Sequence, residues 1–454
     1  MDGVPRTREE AIEADRLDPL APYRDEFLIS PEGPIYLDGN SLGRQPRATA
    51  AAVEAVAREW GRDLISGWDR WIDLPGAVGD RIGQLIGAAP GQVVVSDSTT
   101  VNLYKLAVGA MDANAERTVI VGDKHDFPTV RYVLQGVAAR VGGHVRFIET
   151  DPVNGLSPAD VVAAIDAAAT GASPTGAAAT GAAGTAGPTA IATATGDKSV
   201  IGNGVALVCL SAANYRSGAV VDMQAVTDAA HRAGALTLWD LSHAAGVVPV
   251  DLDGTGADLA VGCTYKYLNG GPGAPAWLYV RSGLQARLRQ PVWGWWGQRD
   301  QFSMGADYDP AEGVDRFLAG TPGVLGIAAV DAGIAPLLAA GIPAIWTKAR
   351  RLVSLLAQRA EELLVPLGAK IASPAAADRR GGHLALSHPD SLGAARLLIE
   401  RGLVVPDFRP PDVLRLAPVA LYTSFAEVWD AAEHIATVLA DPAVRGPVPR
   451  KRVT

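Results

Sequence analysis

Cysteine is nearly absent from this chain: there are two, Cys209 and Cys263, in 454 residues. Two thiols cannot build a disulfide framework or a four-ligand zinc site, and this scarcity predicts a reducing compartment, the cytoplasm by default. An excess of positive charge is also missing. Lys and Arg number 40 against 49 Asp and Glu, a formal net charge of -9. That balance argues against a general electrostatic grip on nucleic acid or an anionic membrane, so any anion must be caught locally. Long uninterrupted apolar runs are lacking too, and the first 20 residues are charged, without the apolar core of a signal peptide. These features predict a protein that neither spans nor crosses a membrane. No internal repeat is visible. The histidines at 125, 144, 231, 383 and 388 show no metal-ligand spacing with a carboxylate partner, so no metal is expected. The basic tail from Arg445 to Arg452 is short and reads as solvated.

What is present is a core-forming composition, 48% hydrophobic and 20% charged, in a chain long enough to bury a large interior. One stretch departs from it. From about Thr170 to Gly196 the sequence is almost wholly Ala, Gly, Thr and Pro with no charge. It has no large side chains whose burial would offset backbone ordering, which predicts a mobile surface insertion. On either side, short β-branched runs (QVVVS, RTVIVG, ALVCLS, ALTLWD, ADLAVGC) alternate with amphipathic stretches (TTVNLYKLAVGAM, PTVRYVLQGVAARVG, MQAVTDAAHRAG). That alternation predicts an α/β fold, a mostly parallel sheet covered by helices on both faces. From about Gly320 the pattern changes to a helix, a long helix over 343–368, the strand HLALSH and a final helix from Ser424, the look of a smaller α+β domain. The expected organisation is an N-terminal segment 1–58 packing with the small domain, a large domain 59–318 and a small domain 319–454.

In open parallel sheets ligands sit beyond the carboxyl ends of the strands. Asp240 closes one apolar strand, His243 follows one helical turn later, and Lys266 follows the next strand. A carboxylate, an imidazole and a lone amine at successive strand ends suit pyridoxal phosphate. That coenzyme takes a Lys amine for its Schiff base and needs an acid to keep its pyridine nitrogen protonated, because the pyridinium is the good electron sink. Alone, an Asp and a Lys so placed could be a helix cap and a surface charge; Tyr265, Tyr267, Asn269 and the glycines at 270, 271 and 273, which let backbone come close, favour the site. The run Ser96, Ser98, Thr99, Thr100 stands where a strand gives way to a helix and offers hydroxyls and free N–H groups to a phosphate, or simply caps the helix. Phe127, after another strand, is able to stack on a flat ring or to fill a core.

Blocks along nearly the whole chain carry a closer resemblance. They are YLDGNSLGRQP (Tyr36 to Pro46), TTVNL, FPT (Phe127, Pro128, Thr129), NYRSG, WDLSHAAG, GCTYKYLNGGPGAPAW, GWWG, RFLAGTP and LRLAPVALYTSF. In this order they resemble the kynureninases, aminotransferase-like (fold-type I) pyridoxal phosphate enzymes. The resemblance implies hydrolysis of L-kynurenine between Cβ and the ketone carbon to anthranilate and L-alanine, in tryptophan catabolism and the kynurenine route toward NAD. It implies that Lys266 holds the coenzyme and moves the Cα proton, that Asp240 pairs with the pyridinium nitrogen, and that Thr99, Thr100 and Tyr265 are phosphate-side ligands, Tyr265 being also a catalytic candidate. Phe127, Pro128 and Thr129 border the coenzyme, with Ser211 and His243 in its shell. Trp295 and Thr321 reach the phosphate from the neighbouring subunit of a homodimer. Arg415 clamps the α-carboxylate, while Asn40, Ser41 and Trp68 lie near the aryl ketone. Tyr265, His243 and Ser41 are all candidates to stabilise the oxyanion.

One departure stands out: the family's FP-(Ser/Thr)-Asp ends here in Val130, so a carboxylate expected beside the coenzyme is missing. Trp68, Gly320 and Thr321 resemble the bacterial branch, which implies 3-hydroxykynurenine as the weaker substrate. A class V aminotransferase or a cysteine desulfurase-like lyase would share Asp, His and Lys. A desulfurase also needs a mobile catalytic cysteine late in the chain, and no cysteine follows Cys263.

Overall fold

The computed structural model describes residues 3–169 and 204–446. The insertion at 170–196 and all but the first two residues of the tail 445–452 lie outside them. The backbone is built around a seven-stranded sheet in the order Val93–Val95, Trp277–Val280, Leu259–Gly262, Leu236–Asp240, Val205–Ser211, Val119–Asp123, His144–Ile148. All strands run parallel except Trp277–Val280, which is antiparallel to both neighbours. The fold class is therefore as the alternating pattern predicted.

Successive side chains of a strand face opposite ways, and here both ways lead into core. Val93, Val95, Val119, Val121, Val208 and Leu210 pack with helices Leu74–Ile86, Pro158–Ala169, Met223–Arg232 and Val324–Ala340. Their alternates Val94, Ile120, Leu207 and Cys209 pack with Thr99–Ala113 and Pro128–Arg140. This is why the strands read as continuous apolar runs. Two strands were not read from sequence. His144–Ile148 is an edge strand carrying Arg146, and Trp277–Val280 hides behind the glycine run and Pro275.

A second core surrounds an antiparallel sheet in the order Asp407–Arg409, Val413–Leu416, Leu384–Ser387, Lys370–Ile371. Helices Ser391–Glu400 and Phe425–Ala440 cover it, the latter opened by a capping box between Ser424 and Glu427. Ile327, Val330, Ile334 and Leu337 pack in the large core, as do Val419 to Tyr422, whereas the second core gathers Ala11 and Leu37 with residues from Leu352 onward. The long helix expected over 343–368 is α-helical at Ile342–Arg359, then widens to a π-turn at Ala360–Leu364 and tightens at Val365–Leu367. Pro366 has no N–H to donate and its ring crowds the preceding turn. The N-terminal segment reaches the second core through the parallel pairing of Ile35–Tyr36 with Val404–Val405. Among the described residues, no single helix is long and apolar enough to cross a membrane.

Candidate active site

The parallel strands Val205–Ser211 and Leu236–Asp240 end in register, and their last residues, Ser211 and Asp240, line one cleft. Side chains of Asn40, Ser41, Thr99, Thr100, Phe127, Thr129, Ser211, Asp240, His243, Tyr265, Lys266 and Arg415 line that cleft, together with Val130, Tyr215 and Arg409. Residues spread over 376 positions are thus brought to one place.

Lys266 follows the Leu259–Gly262 strand, and its Nζ lies 2.9 Å from His243 Nε2 and 5.9 Å from the Tyr265 ring centre. Burial holds His243 well below the ordinary histidine range, with the Lys266 charge adding to it. A neutral imidazole facing an amine accepts or relays a proton without adding charge. Its Nδ1 is buried without a partner among the described residues. Asp240 takes the backbone N–H of Ser242 on Oδ1 at 2.8 Å, which fixes the carboxylate at the strand end. Burial raises the Tyr265 phenol, so its proton stays on at neutral pH.

Thr99 and Thr100 open the Thr99–Ala113 helix, and Ser98 is its cap, accepting from Val101 N at 3.4 Å. The loop before the helix is locked by Lys105, fully buried, whose Nζ reaches Asp97 Oδ2 at 2.7 Å and the carbonyl of Phe317 at 2.6 Å. Free N–H groups and the positive helix end therefore face the cleft from a fixed start. Lys105 escaped the sequence reading because a Lys inside an amphipathic stretch looks like a solvated one. Pro128 starts the next helix, and the Phe127 ring, 41% exposed, packs edge-on against Tyr215 at 5.5 Å.

At the other end Arg415 is 1% exposed. It pairs with Asp407, donates to the carbonyl of Tyr215 and reaches Ser41 Oγ at 3.1 Å. Arg409 pairs with the same Asp407 at 2.9 Å, and the buried carboxyl of Asp38 acts on both guanidiniums, so the two arginines and two acids form one charged cluster at this end of the cleft. Asn40 is completely buried, yet neither amide atom has a partner among the described residues. Orphaned polar atoms in such a place are costly unless a ligand satisfies them. The DGNSLG segment lies directly on the Lys266 turn: Gly43 N donates to the Tyr265 carbonyl at 2.8 Å, and a side chain at 43 would overlap the Lys266 carbonyl. By contrast Gly271 and Gly273 have open space around them and serve their left-handed backbone (φ 88° and 71°), not a close approach.

Three expected residues are not brought to the cleft of this single chain. Trp68 lines a separate apolar groove with Trp60, Leu64, Ile65 and Trp71. Its ring contacts Trp296 at 5.1 Å, which in turn contacts Trp295 at 4.8 Å, and Thr321 is exposed close by. Val130 is apolar and 3% exposed, and a carboxylate that sequence reasoning did not single out, that of Asp126, accepts from the Ser211 hydroxyl at 2.7 Å.

An amine, a buried carboxylate floor, a helix start and an orphaned amide converge on one face of a sheet of this topology, which is what pyridoxal phosphate requires. The molecule is thus of the aminotransferase-like pyridoxal phosphate class. Solved structures of similar fold include the apo cysteine desulfurase from Thermococcus onnurineus NA1, with a TM-score of 0.73 at 18% identity, covering 92% of this chain and 97% of that one. A complex of the cystine C–S lyase C-DES with its product cysteine persulfide gives 0.70 at 17%, covering 89% and 97%. At the level of sequence, the family model for the kynureninase C-terminal domain matches residues 345–435. Kynureninase of Burkholderia pseudomallei (strain 1106a) is 39% identical over 449 residues, 97% of this chain and 98% of that protein. Kynureninase of Pseudomonas fluorescens is 37% identical over 442 residues, 95% of each. The chain belongs to the kynureninase family, and with it to the enzymes dependent on pyridoxal phosphate.

Proposed function

We propose that this protein hydrolyses L-kynurenine to anthranilate and L-alanine in tryptophan catabolism. The observation that carries the reading is the single cleft that joins Lys266 and His243, 2.9 Å apart, to a buried arginine able to take a carboxylate. Bound pyridoxal phosphate supplies an electron sink that stabilises negative charge at the substrate carbons next to the amine. Thr99 and Thr100 would hold its phosphate at the helix start, Lys266 would bind it covalently, Asp240 would face its ring nitrogen, and Phe127 would lie against its ring.

The chain's own groups then do the following. Arg415 takes the α-carboxylate and orients the Cα–H bond toward Lys266, with the Asn40 amide on the aryl ketone side. The Lys266 amine removes that proton and His243, neutral, shares it through Nε2. Water adds to the ketone carbon. The Cβ–Cγ bond breaks, the water oxygen leaves in the carboxylate of anthranilate, a proton is delivered to Cβ, and the proton held between Lys266 and His243 returns to Cα to complete alanine. Tyr265, protonated at neutral pH, and Ser41 are the donors available to the oxyanion.

The functional form is a homodimer with shared sites. Trp60, Leu64 and Ile65 are 62%, 64% and 80% exposed, and with Trp295 they form an apolar ridge suited to a second copy, which would bring Trp68, Trp295 and Thr321 to its partner's cleft. A desulfurase reading is disfavoured because Cys209 and Cys263 are both buried. Product analysis by chromatography on purified protein, with L-kynurenine, 3-hydroxy-L-kynurenine and L-cysteine offered separately, tests the assignment. Anthranilate and alanine in equal amounts are expected; sulfide from cysteine with no anthranilate would overturn it.

A further inference from the structure

Asp126 has no part in the chemistry above, yet it is 3% exposed and lies directly behind Ser211 and Phe127, which line the cleft. Its Oδ1 accepts from the Ser211 hydroxyl and from the Phe127 backbone, both at 2.7 Å, while Oδ2 is buried without a partner among the described residues. Ser211 is in register with Asp240 on the adjacent parallel strand, so the two side chains leave the sheet on the same side. The Ser211 hydroxyl therefore ties Asp126 to the corner that holds Asp240. The other titratable groups facing it are Asp240, Asp123 and the buried thiol of Cys209. Burial first and the Asp240 charge second push Asp126 up to about 7. A cation brought into this corner would favour the ionised form of Asp126.

Position matters as much as charge. Val130 N donates to the Phe127 carbonyl at 3.0 Å in the first turn of the Pro128–Arg140 helix, so Asp126 and Val130 are one turn apart, and Val130 lines the same cleft. The sequence lacks an acid at 130, where the family resemblance calls for one, and has one at 126 instead.

We propose that Asp126 is the second carboxylate at the ring-nitrogen end of the cleft, placed there from position 126 in exchange for the acid missing at 130. It is a positioning residue: it acts through Asp240, adding negative potential that holds the proton on the pyridine nitrogen and strengthens retention of the coenzyme. The inference rests on the pyridoxal phosphate reading of the cleft.

The test compares wild type, Asp126→Asn, Val130→Asp and the double variant. Coenzyme affinity is read by equilibrium dialysis, the bound coenzyme's visible absorption is titrated with pH, and the coenzyme-free proteins are melted. Asp126→Asn is expected to weaken coenzyme affinity by about tenfold, as one pK unit of lost coupling implies, and to move the spectral titration. Asp126→Asn with Val130→Asp is expected to return both to within about threefold of wild type. In the coenzyme-free protein the sign is set by linkage. A carboxylate raised from near 3.8 to about 7 binds more protons folded than unfolded, so it costs stability increasingly from pH 4 to pH 7. Asp126→Asn should remove that decline, while the pH titration of the bound coenzyme's spectrum is the readout that a purely structural role would leave unmoved. Wild-type affinity and spectrum in Asp126→Asn, or a defect that Val130→Asp leaves unrepaired, would overturn the proposal. Failure of the wild-type protein to bind the coenzyme at Lys266 would instead overturn the reading beneath it.

Discussion

The cleft and the tryptophan ridge are unfinished in opposite ways. In and just behind the cleft, the atoms without a partner among the described residues are polar and buried: both amide atoms of Asn40, Nδ1 of His243 and Oδ2 of Asp126. On the ridge they are apolar and exposed, with Ile65 at 80% and Trp60 at 62%. Buried polar orphans ask for a small ligand carrying hydrogen-bonding groups, whereas exposed apolar side chains ask for another protein surface. One chain thus shows two kinds of incompleteness, and each names its own complement.

Breaking the cleft is expected to have the largest effect. Lys266→Ala should abolish turnover and the coenzyme's visible absorption, as checked by steady-state assay and spectrum; a retained band would place the covalent link elsewhere. Asp240→Ala comes next, with weaker coenzyme binding and a loss of several orders of magnitude in kcat, since an unprotonated pyridine is a poor electron sink. Breaking the ridge should cost less per site but change the assembly. Ile65→Glu is expected to shift sedimentation from dimer toward monomer and to lower activity about tenfold or more. A sharper form mixes inactive Lys266→Ala with impaired Trp295→Ala protein. Shared sites would give one intact site per mixed dimer and recover about a quarter of wild-type activity. No recovery would mean that each cleft is complete by itself.

The smallest effect concerns the substrate ring. A buried 3-hydroxyl without a partner costs about 1–3 kcal/mol. Gly320 offers no side chain to it, and the indole N–H of Trp68 is a donor only. We expect kcat/KM for L-kynurenine to exceed that for its 3-hydroxy form by at least about tenfold, and Trp68→His with Gly320→Ser to narrow the gap. Equal values would remove Trp68 and Gly320 from the aryl pocket.

The large sheet was legible because doubly covered strands read as β-branched runs, and the strand ends then pointed to Asp240 and Lys266. Short strands such as Lys370–Ile371 and Asp407–Arg409 carry too few residues for any period to show. Asp126 and Lys105 were invisible for another reason: their meaning lies in burial against distant partners, Ser211 and Phe317, and an Asp before Phe-Pro or a Lys in a helix looks the same when solvated. Arg415 was reached through resemblance alone; its partner Asp407 sits on a separate strand with no local pattern to mark it.

The parallel pairing of Ile35–Tyr36 with Val404–Val405 sets a schedule for synthesis. The Ser41 to Arg415 contact spans 374 residues of sequence. Contacts of that separation form late because the closure entropy is paid before they are gained. The edge of the cleft where Ser41 meets Arg415 is therefore expected to close after the large sheet has assembled, although the same arm also touches the Lys266 turn through Gly43.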